Sequence, residues 1–395
     1  MIPAFSIARL PRIAYGRGRI EELPAYCRRH GQRLLLLTGR ASFVESPGWP
    51  RLQEGFAREG LEWSREVIAG EPSPDEVDAI AMKYRDRNID VVAAIGGGSV
   101  LDAGKAVAGL LRVPHSVMDF LEGVGPELPY PGPATPFIAV PTTAGTGSEA
   151  TKNAVLSRQG PDGFKKSFRD ERLVPEVALV DPALLATCPP EQIAANGMDA
   201  FTQLLESFVS LRANPLTDAL VRQGLVHVRE ALLRWYTLGA AAENEQDRMA
   251  LASLYSGIAL AQTGLGSVHG LASPLGAFFP IPHGVVCGRL VAEATRVNIE
   301  ALQAREPHHP ALGRYAEAGR ILARDGNLED AEARRRLVAL LHDWTASMRL
   351  PRLSDYGVTR DDFPRIVANS RGSSMRTNPI VLTDEEITAI LEACL

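Results

Sequence analysis

Short apolar runs alternate with amphipathic segments through the first half of the chain. The apolar runs lie at residues 33–38, 90–95, 137–140 and 174–181. Such runs are typical of strands that are buried on both faces of a parallel sheet. Helical spacing of apolar residues separates them at 49–59 and 74–87, and an amphipathic strand is expected at 63–67. Strands that alternate with helices predict an α/β domain with a parallel sheet.

Helical periodicity dominates the second half of the chain. Turn-forming residues at Thr187–Pro190 lie where the alternation of strands and helices ends and the helical pattern begins. The predicted helices lie at residues 192–210, 215–236, 244–265, 286–304, 311–324, 330–348 and 383–394. We therefore predict two domains, an α/β domain over residues 1–184 and a helical domain over residues 185–395.

Composition indicates the broad class of protein but not the reaction or ligand. The 395 residues are 45% hydrophobic and 23% charged, which is typical of a soluble globular protein. The net charge of −5 argues against nucleic acid as an obligatory partner. The four cysteines lack CxxC spacing, which suits a reducing compartment. With neither a signal-peptide pattern nor an apolar run of about 18 residues, we expect a cytoplasmic protein without a membrane partner.

A run of glycines follows the strand at 90–95. Gly96–Ser99 reads GGGS and opens a helix. Glycines let the backbone approach a phosphate, and the N–H groups at a helix start favour an anion. The spacing is neither GxGxxG nor a Walker motif, and a plain tight turn is the alternative. Asp102 and Lys105 lie in the first turns of this helix, where Lys105 either reaches a pyrophosphate or is a solvated surface residue.

A second loop of small residues, PTTAGTGSE, follows the strand at 137–140 and spans residues 141–149. Its backbone and hydroxyl groups suit hydrogen bonds to a polar ligand, although a flexible surface loop would read similarly. Open α/β sheets bind ligands at the carboxyl ends of neighbouring strands, which is where both loops are expected.

Candidate metal ligands lie in the helical half. The stretch 264–284, GLGSVHGLASPLGAFFPIPHG, places His269 and His283 in an uncharged segment. We predict a helix over about 260–277, kinked at Pro274 and stopped by the prolines that follow. The second histidine then comes from a loop or a new helix start. The two imidazoles are either satisfied core histidines or metal ligands.

Asp199 and Gln203 are four residues apart on a predicted helix and therefore share a face. A local cap or a solvated carboxylate would explain Asp199 alone. Together with His269 and His283, Asp199 makes a set of one carboxylate and two imidazoles that suits a divalent metal. Gln203 would add a weak carbonyl ligand or only an outer-sphere hydrogen bond.

In this order the motifs resemble those of the iron-containing (group III) alcohol dehydrogenases, which have a dehydroquinate synthase-like fold. The resemblance extends from Pro11–Gly16 to Asn378-Pro379 and is carried by the motifs at 96–105, 141–149, 197–210 and 264–284. It implies a Rossmann-like dinucleotide-binding α/β domain and an all-α C-terminal domain, with the active site in the cleft between them. The family's habit, and an expected strand at Phe5–Ala8, suggest a homodimer.

The resemblance also implies roles for individual residues. Asp199, His269 and His283 would be the catalytic residues and would ligate Fe²⁺ or Zn²⁺, with Gln203 at the remaining ligand position. The metal would polarise the oxygen of an alcohol, aldehyde or ketone while hydride passes between the substrate and the nicotinamide of NAD or NADP. The implied cofactor-binding residues are Gly39, Gly97, Gly98, Ser99, Asp102, Thr142, Thr143, Thr146, Asn153 and Lys165.

Three positions depart from the family pattern. Gln203 stands where the family usually has a histidine ligand, and Ser273 stands where it has a further histidine. A metal-independent reductase resembling the maleylacetate reductases is therefore an alternative, although the related glycerol dehydrogenases have an Asp-His-His set. Gly39-Arg40 replaces the Asp that NAD-preferring members often have, which slightly favours NADP over NAD. A dehydroquinate-synthase-like lyase and an inactive nucleotide-binding protein are the remaining alternatives.

Overall fold

The computed structural model describes residues 4–160 and 162–395, which form two compact units. The first unit consists of Ala8–Arg158 and Lys165–Cys188, and Pro189–Leu395 forms the body of the second. None of the described helices combines the length and the apolar character that a bilayer-spanning helix needs.

A parallel sheet of six strands forms the centre of the first unit in the described chain. Its strand order is β1-β8-β5-β4-β2-β3, and every neighbouring pair is parallel. The strands are β1 (Arg12–Tyr15), β2 (Arg33–Thr38), β3 (Glu62–Val67), β4 (Val91–Gly96), β5 (Phe137–Pro141) and β8 (Val177–Val180). A separate two-stranded sheet pairs β6 (Asn153–Arg158) with β7 (Phe164–Arg169). The predicted α/β domain with a parallel sheet is confirmed.

Helices cover both faces of this sheet, which is why its central strands are apolar throughout. The helices of the first unit are α1 (Leu23–Arg28), α2 (Gly48–Arg58), α3 (Pro74–Tyr84) and α4 (Gly98–Leu110). On one face, Tyr26 and Phe56 pack against strand side chains in a continuous core. On the other, α4 lies so close to the sheet that a Cβ on Gly104 would be 2.8 Å from Ala94 and Phe137.

The second unit is helical in its described part from Pro189 to the C-terminus. Its helices are α5 (Pro190–Val209), α6 (Pro215–Leu238), α7 (Glu243–Thr263), α8 (Ser267–Phe278), α9 (His283–Arg305), α10 (Pro310–Ala323), α11 (Asp330–Ser347), α12 (Phe363–Asn369) and α13 (Asp384–Cys394). The buried helix α5 packs against α6, α7 and α9. Glycines allow close crossings, since a Cβ on Gly197 would lie 2.2 Å from Leu232 and one on Gly224 would lie 2.7 Å from Leu204.

Two local predictions need correction. A single helix over 260–277 is wrong, because α7 ends at Thr263 and Gly264 has a φ of 69°, a conformation that favours glycine and interrupts the helix. The expected strand at Phe5–Ala8 is also wrong, because those residues are not assigned to a strand. By contrast, the second histidine does start a new helix, since His283 is the first residue of α9 after Pro282.

Candidate metal centre and cofactor loops

Four potential metal ligands converge from three helices of the second unit. Asp199 comes from α5, His269 from α8, and His283 and Cys287 from α9, and one ligand atom of each lies within 4.8 Å of the others. His269 Nε2 is 3.2 Å from Asp199 Oδ1 and 3.7 Å from Cys287 Sγ. His283 Nε2 is 3.8 Å from the same carboxylate oxygen and 3.7 Å from the same sulfur. The cluster is buried except at His283, whose side chain is 28% exposed.

The crossing of α9 over α5 places His283 beside Asp199. A Cβ on Gly284 would lie 2.3 Å from the carbonyl oxygen of Ala195, so only glycine allows this approach. Ala195 lies one helical turn before Asp199, and Cys287 lies one turn after His283. The backbone contact therefore brings the ligand-bearing faces of the two helices together.

Glu206 holds the start of α8 and the ring of His269. Its Oε1 accepts a hydrogen bond from the N–H of Val268 at 2.7 Å, and its Oε2 is 2.7 Å from His269 Nδ1. The carboxylate thus satisfies one of the free N–H groups at the helix start. It also favours a proton on Nδ1, so that Nε2 is the ring nitrogen that faces Asp199 and Cys287.

Charge and burial oppose each other within the cluster. Burial raises the pKa of Asp199, but the nearby His283 and His269 hold it below its ordinary value. Burial lowers the pKa of His269, whereas Cys287, Glu206 and Asp199 raise it, with a net result well above the ordinary value. Burial raises the pKa of the Cys287 thiol to about 12.

Cys287 and Glu206 were not singled out as site residues from the sequence. Each nevertheless carries a helical signal, because Cys287 follows His283 by four residues and Glu206 follows Asp199 by seven. Both spacings return a side chain to the same helix face.

Gln203, the other predicted metal ligand, is buried on α5 between Asp199 and Glu206. Its carbonyl oxygen accepts a hydrogen bond from Ser256 Oγ on α7 at 2.6 Å. Ser273 lies on α8, one turn after His269. The role of Gln203 as a ligand stays a prediction.

The two predicted cofactor loops lie side by side in the first unit. Strands β4 and β5 are neighbours, and the N–H of Thr142 donates to the carbonyl oxygen of Gly96 at 2.9 Å. A Cβ on Gly98 would lie 2.5 Å from the side chain of Thr146, and one on Gly97 would lie 3.4 Å from Thr143. Glycine at these positions therefore lets the threonine-rich loop pack directly on the start of α4.

Several residues of both loops are partly exposed to solvent. Gly97, Gly98 and Ser99 are half-buried, and so are Thr143 and Thr146. Thr142 is buried.

Lys105 is not a solvated helix residue, and that interpretation is wrong. The side chain is completely buried, and Nζ lies 2.8–3.0 Å from the carbonyl oxygens of Ser148 and Asn153 and the hydroxyls of Ser148 and Thr151. An ammonium has three N–H donors, and these acceptors use all of them. Lys105 therefore joins α4 to the threonine-rich loop and has no donor left for a pyrophosphate.

Asp102 belongs to the same buried network. Its carboxylate accepts hydrogen bonds from Ser148 Oγ at 2.5 Å and from the N–H of Val155 at 3.1 Å. Burial raises its pKa, although Lys105 and Ser148 oppose that shift. Its direct role in cofactor binding stays a prediction.

The remaining predicted cofactor residues occupy separate positions in the first unit. Asn153 begins β6, and its carbonyl oxygen is among the acceptors of Lys105. Lys165 on β7 forms an ion pair with Glu71, which also accepts a hydrogen bond from Ser157 Oγ at 2.6 Å. Gly39 follows β2, and a Cβ there would meet no atom within 4 Å.

Comparisons with known proteins cover the whole fold. Residues 11–182 match the family model for iron-containing alcohol dehydrogenase, and residues 193–395 match the model for the C-terminal part of that family. Alcohol dehydrogenase 4 of Saccharomyces cerevisiae (strain YJM789) is 30% identical over 387 residues, which cover 97% of this chain and 97% of the yeast protein.

Two further relatives extend the comparison. The NAD-dependent methanol dehydrogenase of Bacillus methanolicus is 28% identical over 393 residues, covering 98% of both chains. The crystal structure of a 1,3-propanediol oxidoreductase is similar with a TM-score of 0.89 and 26% identity, covering 100% of both chains. The similarity to this structure confirms the combination of an α/β part with a helical part.

Proposed function

The chain belongs to the iron-containing alcohol dehydrogenase family, and from this membership we propose that Asp199, His269 and His283 hold a divalent metal for its hydride-transfer reaction. The protein is an NAD(P)-dependent oxidoreductase that interconverts an alcohol and an aldehyde or ketone. The observation that carries the proposal is the meeting of one carboxylate and two imidazoles from α5, α8 and α9.

The donor set fits a divalent ion. Carboxylate oxygen and imidazole nitrogen are ligands of both iron and zinc, and Glu206 at Nδ1 of His269 is the outer-sphere carboxylate that such imidazoles usually have. When bound, the ion supplies Lewis acidity toward the substrate oxygen. The protein's part is to fix the imidazole of His269, exclude water from Asp199, and leave an approach at the partly exposed His283.

Cofactor binding is proposed for the two adjacent loops of the first unit. The N–H groups at the start of α4, at Gly98 and Ser99, suit a pyrophosphate. The hydroxyls of Thr143 and Thr146 lie against these glycines, so they would face the same ligand. Asp102, through Ser148, would hold the threonine-rich loop in place.

The end of β2 supports a preference for NADP over NAD. Gly39 leaves open space, and the exposed Arg40 follows it. On β3, Arg65 Nε donates to Thr38 Oγ1 at 2.8 Å, and Nη2 lies 3.4 Å from the carbonyl oxygen of Gly39. Its guanidinium carbon is 5.5 Å from the ring centroid of Trp49, so the cation is held beside the strand end. The guanidinium of Arg65 at the strand end, with Arg40 next to Gly39 in the sequence, suits a ribose 2′-phosphate.

An Arg65→Ala variant tests the cofactor preference. We expect the ratio of kcat/KM for NADPH to that for NADH to fall by about tenfold, because a hydrogen bond to a charged group contributes about 1.5–3 kcal/mol. Steady-state kinetics with both cofactors measure this ratio. Arg33→Ala, at the exposed opposite end of β2, is the matched control and should leave it unchanged. An unchanged ratio in the Arg65→Ala protein would remove Arg65 from the cofactor site.

Metal analysis tests the main proposal. Protein purified without chelators should contain close to one Fe or Zn per chain, lose activity with EDTA, and regain it when the same metal is returned. Elemental analysis and NAD(P)H oxidation with a simple aldehyde measure these outcomes. Undiminished activity in metal-free protein would instead support the metal-independent reductase, which Gln203 in place of a histidine ligand leaves as the second candidate.

We also propose a homodimer, from the family resemblance, and a cytoplasmic location, from the composition. Sedimentation of the purified chain tests the first, and cell fractionation tests the second.

A further inference from the structure

We infer that Cys287 is the fourth protein ligand of the metal centre and supplies a thiolate where the family's usual histidine is replaced by Gln203. The inference rests on the proposed function, because it requires that Asp199, His269 and His283 hold a metal. It goes further by assigning the ligand set as one oxygen, two nitrogens and one sulfur.

Four of the six distances between the ligand atoms are close to those of a tetrahedral site, and no pair is more than 4.8 Å apart. With Zn–N bonds of about 2.0–2.1 Å and a Zn–S bond of about 2.3 Å, neighbouring ligand atoms in a regular tetrahedron are about 3.3–3.6 Å apart. Cys287 Sγ lies 3.7 Å from Nε2 of His269 and 3.7 Å from Nε2 of His283. The carboxylate oxygen of Asp199 lies 3.2 and 3.8 Å from the same two nitrogens. A single ion could therefore bond all four atoms after only small side-chain movements.

The surroundings of Cys287 differ from those of other buried cysteines in the chain. The thiols of Cys188 and Cys394 each donate to a backbone carbonyl oxygen, at 3.3 and 3.4 Å. Cys287 Sγ instead faces two imidazole nitrogens, and Asp199 is its further neighbour. A thiol among potential ligands is placed for metal binding rather than for filling space in the core.

Gln203 and Cys287 have complementary positions. Gln203 lies one turn after Asp199 on α5, and its carbonyl oxygen accepts a hydrogen bond from Ser256. Cys287 lies one turn after His283 on α9. Each residue thus follows a metal ligand by four positions on its helix. The ligand at this spacing would come from α9, at Cys287, rather than from α5, at Gln203.

A sulfur ligand changes the metal that the site prefers. Thiolate is a soft ligand that selects Zn²⁺ over the harder Mg²⁺ and Mn²⁺. We therefore expect a Cys287→Ser change to weaken Zn²⁺ binding by at least about tenfold. Mutation of a residue that only hydrogen-bonds to a metal ligand already lowers metal affinity by about 10–100-fold. The same change should alter Mn²⁺ binding much less.

The test uses the full-length protein with Co²⁺ as a spectroscopic probe. Metal-free protein loaded with Co²⁺ should show ligand-field bands of a tetrahedral ion and a thiolate-to-cobalt charge-transfer band in the near ultraviolet. Cys287→Ser should keep the ligand-field bands and lose the charge-transfer band. Cys394→Ser is the matched control, because it removes another buried thiol, and it should keep both features.

The outcomes separate the inference from the proposed function. Stoichiometric Co²⁺ without a charge-transfer band in the unaltered protein would overturn the thiolate ligand but leave the Asp-His-His site standing. No Co²⁺ binding at all would overturn both. X-ray absorption of the zinc-loaded, unaltered protein gives a test that needs no variant. A sulfur at about 2.3 Å from the zinc supports the inference, and zinc bonded only to nitrogen and oxygen contradicts it.

Discussion

Two buried clusters of charged and polar side chains, one around Lys105 in the first unit and one around Asp199 in the second, differ in how their hydrogen-bonding groups are used. Around Lys105, an ammonium donates to surrounding oxygens, and the carboxylate of Asp102 accepts from Ser148 and from a backbone N–H. Around Asp199, the atoms that face each other are a carboxylate oxygen, two imidazole nitrogens and a sulfur. The first cluster is held together by an ammonium, whereas the second brings together atoms of the kinds that bind a metal ion.

This difference separates a structural network from a candidate reactive site. Buried polar groups are normally satisfied, and a network that is satisfied by protein groups holds loops in place. A carboxylate oxygen, two imidazole nitrogens and a sulfur that lie within 4.8 Å of one another are instead the donor set of a metal site. Burial and charge alone would not have distinguished the two clusters, because both are buried and both contain a carboxylate.

The largest effect is expected from Asp199→Asn. The amide keeps the shape of the side chain but is a poor metal ligand, so kcat/KM for aldehyde reduction should fall by about 10³-fold or more, as expected for loss of several kcal/mol of metal assistance. Steady-state kinetics and metal content should fall together. Asp330→Asn, at an exposed position on α11, should change neither. Full activity in Asp199→Asn would contradict the metal-assisted reaction.

Lys105→Met should chiefly destabilise the first unit. Removing the ammonium leaves the buried carboxylate of Asp102 without its charge partner, at a cost of about 3–5 kcal/mol in the free energy of unfolding. Urea denaturation measures this loss. Lys83→Met breaks a solvent-exposed ion pair with Glu66 and should cost far less, because exposed ion pairs contribute little to stability. Equal stabilities of the two variants would show that Lys105 does not hold the network together.

Glu206→Gln should weaken metal binding without abolishing it. The amide can still accept the hydrogen bond from Val268 but makes a weaker partner for His269 Nδ1, so metal affinity should fall by about 10–100-fold. Competition with a chromogenic chelator measures the affinity, and excess metal should restore activity. Glu300→Gln, on the exposed face of α9, serves as the control. Unchanged affinity would mean that Glu206 acts only on the helix start.

Glu149→Gln should change the pH dependence of stability rather than the activity of the metal site. Burial raises the pKa of Glu149 to about 7 from an ordinary value of 4.5, so the folded protein binds a proton more readily than the unfolded chain. Between these values the unaltered protein should therefore gain stability as pH falls, and should lose that contribution as pH rises toward 7. The variant should lack this component in urea titrations at several pH values. Parallel pH profiles would contradict the raised pKa.

The fold could be predicted where burial imposes a simple pattern. The runs RLLLLT and VVAAI became β2 and β4 because strands covered on both faces need apolar residues at every position. The short strand β1, RIAY, and the strand β7, FKKSFR, lack such runs and were not predicted. The interruption at Gly264 was missed because helical residues continue on both sides of it.

The candidate site was predicted as far as spacing along single helices allows. Histidines in an uncharged segment and an aspartate in an apolar helix drew attention to His269, His283 and Asp199. Cys287 and Glu206 acquire significance only when α9 and α8 are packed against α5, because their partners are 18 and 63 residues away in the sequence. The burial of Lys105 could not be predicted for the same reason, since the oxygens that accept its hydrogen bonds lie more than 40 positions further along the chain.

The contact of Gly284 with the backbone of Ala195 bears on how this enzyme could be engineered. Near the site, the approach of α9 to α5 is set by main-chain atoms at Gly284 and Ala195 and not by a side chain at position 284. The side chains at 203, 273 and 287 could therefore be varied in libraries that seek new metals while the scaffold is preserved. Position 284 must be left out of such libraries, because any added methyl group would separate the two helices and remove the site that the libraries are meant to explore.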